Sequence, residues 1–291
     1  MKKFSGVGVA LVTPFDENGR VDEASLRAVV DHVIGGGVDY LVALGTTSEA
    51  ATLSKSERER VVEIVAEQND GRLPIVIGVG GNNTAVILEE LQLLPYLRHG
   101  DAILTVAPYY NKPTQEGLYL HFRAIAERTP LPLILYNVPG RCSVNINADT
   151  ALRLANDFEN IIAVKEASGN FEQATTIAAE KPADFLLLSG DDALALPFVS
   201  IGAEGVISVI ANALPDECVS MIHRALEDDF MEAREIHHQL RGLYKLLFQE
   251  GNPAGVKAAL HARGIIETNQ LRLPLCPVSD ALYREIRELV S

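Results

Sequence analysis

Short runs of Val, Ile and Leu recur along the chain, and between them apolar residues fall at three- and four-residue spacing. The runs predict buried strands, and the wider spacing predicts amphipathic helices. Gly6 to Thr13 reads as a first strand, closed by Pro14 and the turn Asp16-Glu17-Asn18-Gly19. Asp22 is placed to cap a helix that runs to Ile34 and stops at the glycines 35–37. Further strands are predicted over Tyr40 to Leu44, Pro74 to Gly80, Asp101 to Val106, Leu131 to Tyr136, Ile161 to Val164, Phe185 to Leu188 and Gly205 to Val209. Helices alternate with them: Lys55 to Asn69, a segment reaching Leu97, Leu118 to Arg128, Asn147 to Asn156, Phe171 to Ala179, Ala193 to Ile201 and Asp216 to Glu227.

Strands that are apolar throughout imply a parallel sheet covered on both faces. Eight such strand–helix units in about 225 residues fit a (β/α)8 TIM barrel. An open doubly wound sheet is the competing architecture, but its G-x-G-x-x-G turn is absent, because GVGVAL lies within the first strand. Beyond Phe230 no strand-like run appears. Residues 1–228 are therefore read as the barrel carrying the active site, and 229–291 as a C-terminal helical domain of three helices.

An apolar content of 47% supports a sizeable core, and the net charge of −14 speaks against a nucleic-acid partner. The three cysteines, Cys142, Cys218 and Cys276, show no C-x-x-C spacing, and no H-E-x-x-H occurs, so neither a disulfide framework nor a metal site is signalled. The start MKKFSGVGVALVTPF has the charge and apolar run of a signal peptide but no clear small-x-small cleavage site. It is read as the first strand, with a cytoplasmic location as the default. No apolar run reaches the roughly 18 residues that cross a membrane.

In this architecture chemistry sits at the C-terminal ends of the strands. Lys165 ends the sixth strand, with Glu166 to Gly169 as the exit loop. An ammonium held against apolar surroundings is disfavoured, and a neutral amine attacks a ketone to form a Schiff base. A lysine here could equally snorkel or pair with a carboxylate. The same rim carries Thr46 and Thr47 after strand two, Tyr109 and Tyr110 after strand four, Tyr136 and Arg141 at and after strand five, and Gly190-Asp191-Asp192 after strand seven. Singly, the threonines read as a turn, the tyrosines as packing or interface, Arg141 as surface, and the aspartates as a helix cap. Together they are coherent. Hydroxyls of tyrosine and threonine can shuttle protons, and backbone N–H groups with the Thr47 hydroxyl can hold a carboxylate. Arg141 can take a second carboxylate in a two-pronged grip.

The segments GVGVALVTPF, GTTSEAATL, PYYNKPTQEGLYLHF, YNVPGR, KEASGN, LSGDD, GVISV and GNPAGVKAAL span the whole chain. They resemble the class I aldolase superfamily of dihydrodipicolinate synthase and N-acetylneuraminate lyase. PYYN together with YNVPGR is nearest to the synthase branch. The resemblance implies that Lys165 forms an imine with pyruvate, and that Thr46, Tyr136 and Tyr110 relay protons, Tyr110 reaching in from a neighbouring subunit. It implies that Thr47 binds the pyruvate carboxylate and Arg141 that of L-aspartate 4-semialdehyde. The backbone of Ile207 would line the pyruvate pocket, with Gly190 giving room beside it. No cofactor is expected, and the assembly expected is a homo-oligomer, a tetramer built as a dimer of dimers. Ser48 departs from the family's GTTGE; a left-handed backbone there would strain a serine. Many relatives are inhibited by lysine. Here Lys55, Arg58 and Val86 stand where the sensitive pattern has two histidines and a glutamate, with Asn82 and Tyr109 kept, so inhibition is expected to be weak or absent. Glu89 and Glu90 are expected to point away from the face of Val86.

The alternatives are a pyruvate-dependent lyase of sugar acids, which has no use for Arg141, and a catalytically silent barrel. The intact lysine, tyrosine and threonine set argues against the silent barrel.

Overall fold

The computed structural model describes residues 3–290. Eight parallel strands close in chain order: β1 Gly6–Ala10, β2 Tyr40–Ala43, β3 Ile75–Gly78, β4 Ala102–Val106, β5 Leu133–Asn137, β6 Ile161–Glu166, β7 Leu186–Ser189 and β8 Gly205–Ser208. β1 pairs with both β2 and β8, which completes the (β/α)8 barrel. Closure at that seam depends on absent side chains, since a Cβ on Gly205 would stand 2.0 Å from the Gly6 carbonyl oxygen.

Around the strands lie α1 Glu23–Gly35, α2 Lys55–Asn69, α3 Thr84–Leu93, α4 Gln115–Ala126, α5 Pro139–Cys142, α6 Ala148–Asp157, α7 Phe171–Glu180, α8 Ala195–Ser200 and α9 Pro215–Leu226. Their starts follow local chemistry. The Asp22 carboxylate accepts the Ser25 N–H, and Ser54 with Glu57 forms a reciprocal capping box at α2. Each such cap typically contributes about 1 kcal/mol. The segment expected to stay helical to Leu97 breaks instead at Leu94, because Pro95 disfavours a helical residue before it. Residues 95–99 then form a 3₁₀ turn.

The sixth strand is longer than its apolar run. It continues through Lys165 and Glu166, because the Glu166 carboxylate is buried and fully used. It accepts from Asn137 Nδ2 and Gln173 Nε2, each at 2.8 Å, and from the Ser168 N–H at 2.6 Å. Lys165 is thus inside the ladder, opposite Tyr136 on β5 and Leu188 on β7.

Three helices follow the barrel: α10 Phe230–Gln249, α11 Ala254–Ala262 and α12 Asp280–Val290. Leu240, Leu243, Tyr244 and Leu247 of α10 join the same continuous apolar core as the barrel. The segment after α11 returns across the barrel mouth. Thr268 Oγ1 donates to the Phe15 carbonyl, and Arg272 Nε donates to that of Gly19, both in the loop after β1. No helix among the described residues is long and apolar enough to cross a membrane.

Candidate active site

The loop after β2 forms a tight 3₁₀ turn over Thr46–Ser48, flanked by left-handed residues at Leu44 and Glu49. Ser48 has no positive φ, so the strain its substitution suggested is not there. Its hydroxyl instead donates to the Leu11 carbonyl at 2.7 Å and ties the turn to the end of the first strand. Thr46 is exposed toward the cavity, whereas Thr47 is buried and its Oγ1 accepts from Asn252 Nδ2 at 3.0 Å.

Lys165 is 5% exposed, and its Nζ lies 4.3 Å from the centroid of the Tyr136 ring. The adjacent Glu166 carboxylate is taken by Asn137, Gln173 and Ser168. Gly190, beyond β7, faces the lysine stem: a Cβ there would stand 2.7 Å from Ala167 Cβ and 3.0 Å from Lys165 Cε. Lys165, Tyr136, Thr46, Thr47, Arg141 and Gly190 line one cavity of about 250 Å³, so six of the eight residues singled out in the sequence converge.

The other two do not. Ile207 is buried in β8 and lines neither this cavity nor the larger one beside it; Val209 lines the smaller cavity instead. Tyr110 is 88% exposed in a left-handed conformation (φ 75°) and lines neither. Its neighbour Tyr109 lines the larger cavity, of about 400 Å³, which shares Thr46, Tyr136 and Arg141. Glu90 and Arg58 lie on that same wall. The expectation that Glu90 points away is therefore corrected: it stands four residues after Val86 and so shares its helical face.

Arg141, on the short helix α5, is exposed to both cavities, with Nη2 at 3.4 Å from the Asn252 carbonyl. Of the aspartate pair only Asp191 caps, accepting the Ala193 N–H at 2.9 Å. Asp192 is buried and accepts from Ser208 Oγ and from the N–H groups of Val209 and Ile210, fixing the loop after β8. Burial pushes its carboxyl above the usual range.

Sequence reasoning missed the contribution of the C-terminal helices. Asn252 lines both cavities, its Nδ2 held by Thr47, while its buried Oδ1 has no hydrogen-bond partner among the described residues. Further in, the fully buried Lys257 ammonium meets the Glu49 carboxylate at 2.5 Å. Desolvation lowers the lysine to about 8, against the pull of Glu49. The available signal was a lone lysine in the otherwise apolar AGVKAAL. Among the described residues no group of three or more His, Cys, Asp or Glu is arranged to hold a metal ion.

Comparison with known proteins gives concordant matches. The Dihydrodipicolinate synthetase family matches residues 3–291. The 4-hydroxy-tetrahydrodipicolinate synthase of Porphyromonas gingivalis is 53% identical over 277 residues, covering 95% of this chain and 93% of that protein. The solved dihydrodipicolinate synthase of Thermotoga maritima is 40% identical with a TM-score of 0.95, covering 99% of this chain and 97% of that one. A structure described as the first monomeric dihydrodipicolinate synthase variant is also 40% identical, with a TM-score of 0.95 and coverage of 99% and 96%.

Proposed function

The chain belongs to the dihydrodipicolinate synthetase family, and on that premise we propose that Lys165 carries the family's condensation here. The activity is that of a 4-hydroxy-tetrahydrodipicolinate synthase, a lyase of class I aldolase type in diaminopimelate and lysine biosynthesis. Its substrates are pyruvate and aspartate semialdehyde. The observation that carries the assignment to Lys165 is its burial on the wall of a cavity, against the Tyr136 ring and beside the space left by Gly190.

The Lys165 amine attacks the pyruvate ketone carbon, and loss of water from the carbinolamine gives the imine. Loss of a methyl proton gives the enamine, whose terminal carbon bonds to the aldehyde carbon as the aldehyde oxygen takes a proton. The substrate amine then attacks the imine carbon, closes the ring and releases Lys165. Protons move through Tyr136 and Thr46. The Thr47 hydroxyl and the N–H groups of its turn hold the pyruvate carboxylate. Arg141 holds the carboxylate of the semialdehyde. Its exposure to both cavities favours this substrate over a sugar acid, whose hydroxyls would need other partners.

The relay is completed by Tyr110 of the partner subunit, in a cytoplasmic homotetramer built as a dimer of dimers. An exposed tyrosine in a left-handed backbone conformation, unused by its own chain's cavities, supports this reading. The test is a coupled assay with pyruvate and either aspartate semialdehyde or sugar-acid substrates, run beside sedimentation of the parent and of Tyr110→Phe. Turnover with the semialdehyde, an oligomer, and reduced activity in the variant are expected. A fully active monomer would remove the partner's role, and turnover of sugar acids alone would remove the synthase.

A further inference from the structure

The turn that carries Thr46 and Thr47 is gripped from two points of the C-terminal segment, the loop between α10 and α11 and α11 itself. Asn252 Nδ2 donates to Thr47 Oγ1 at 3.0 Å, and five residues on, Lys257 pairs with Glu49, two residues past Thr47. Glu49 closes the turn itself, its N–H donating to the Thr46 carbonyl at 3.1 Å, from a left-handed conformation (φ 53°, ψ 34°) that few non-glycine residues adopt. Such a conformation persists only where its surroundings over-determine it. Here they do. Glu49 Oε1 takes the Lys257 ammonium at 2.5 Å and Oε2 takes the Arg272 N–H at 3.0 Å. The ammonium also donates to the Gln270 carbonyl at 2.9 Å and lies 4.2 Å from the Phe15 ring centroid.

A buried ion pair is weak evidence for stability, because desolvation of both charges offsets their attraction and apolar replacements often do as well. What it does supply is one geometry, since each charge has a single set of partners to satisfy it. Neither side chain is exposed to solvent; Glu49 borders the larger cavity, and Lys257 lines neither. We propose that the Glu49–Lys257 pair is a positioning device, by which the C-terminal helices hold the Thr46–Thr47 turn in the orientation that receives the pyruvate carboxylate. This rests on the assignment of that carboxylate to Thr47.

The experiment compares three variants with the parent in the assembled enzyme: Glu49→Gln with Lys257→Met, Glu49→Gln alone, and Thr47→Val. The double variant removes both charges and keeps an acceptor for the Arg272 N–H. Its pyruvate KM should rise about tenfold, while the KM for the semialdehyde stays within about twofold, in a protein with parent-like circular dichroism. A merely structural pair would move the melting temperature and leave both KM values alone, and pyruvate KM within about twofold of the parent overturns the proposal. Should the double variant not fold, Glu49→Gln alone decides: a rise of about threefold or more in pyruvate KM supports the device, and an unchanged value overturns it. Thr47→Val separates the two levels. A parent-like pyruvate KM there overturns the carboxylate assignment itself. A raised value there beside a parent-like double variant overturns only the positioning role.

Discussion

Tyr136 and Lys165 face each other across neighbouring strands of the barrel, register partners whose ring centroid and Nζ are 4.3 Å apart. The ring packs on the amine, and in the proposed relay its hydroxyl exchanges protons with what the amine binds. Tyr136→Phe keeps the packing and removes only the exchange. Turnover should fall by about 10² or more, the lower bound for a positioned general acid or base, with no change in melting temperature. Parent-like turnover would take Tyr136 out of the relay.

The Arg141 side chain reaches both cavities, and among the described residues its guanidinium makes one long hydrogen bond, to the Asn252 carbonyl. Arg141→Ala should weaken use of aspartate semialdehyde by about 2–5 kcal/mol in kcat/KM, the cost of truncating one partner of a charge pair. Imine formation with pyruvate alone should survive. Stopped-flow trapping beside the coupled assay checks both, and equal loss in the two would mean that Arg141 serves the pyruvate site.

Two histidines give the fold opposite responses to pH. The His223 imidazole is raised above 6.5, first by its 2.8 Å hydrogen bond to the Asp39 carboxylate, against a desolvation that pulls it down. Its stabilisation is complete below 6.5 and is lost as pH rises through the folded-state value. His121 is lowered to about 4 by burial. The unfolded chain therefore takes up this proton between 6.5 and 4 while the folded chain does not, and stability is lost as pH falls through that window. Melting temperature measured across pH should lose part of its acid slope in His121→Gln and part of its slope above 6.5 in His223→Gln. Parallel curves in parent and variants would contradict the assignment.

Glu90 and Arg58 share the wall of the larger cavity, where Tyr109 also lies. The carboxylate that would attract a lysine ammonium thus has a guanidinium on the same wall, and opposite charges there leave little net attraction. Lysine titration should show weak inhibition or none. Strong inhibition that disappears in Glu90→Gln would show that the carboxylate acts unopposed.

The barrel was legible because its strands are apolar on both faces and because a residue such as Asp22 marks where a helix starts. The site was legible to the extent that strand ends converge, which brought Lys165, Tyr136, Thr46, Thr47, Arg141 and Gly190 to one cavity. What the sequence concealed were contacts between distant segments. Glu166 belongs to the strand because Asn137 and Gln173 satisfy its carboxylate. Ser48 is unstrained because its φ is not positive, and Leu11 offers its hydroxyl an acceptor. Glu49 and Lys257 are more than two hundred residues apart in sequence, and no local period reports such a pair. Tyr110 lines neither cavity of its own chain, and the role proposed for it in a second copy depends on contacts that one chain does not report.

Lys165 is the amine proposed to hold pyruvate, and reduction with borohydride in the presence of pyruvate tests that role directly. Peptide mass mapping should find the reduced pyruvate adduct on Lys165, and Lys165→Ala should take up none. Adduct confined to other lysines, or none on the parent enzyme, would contradict it.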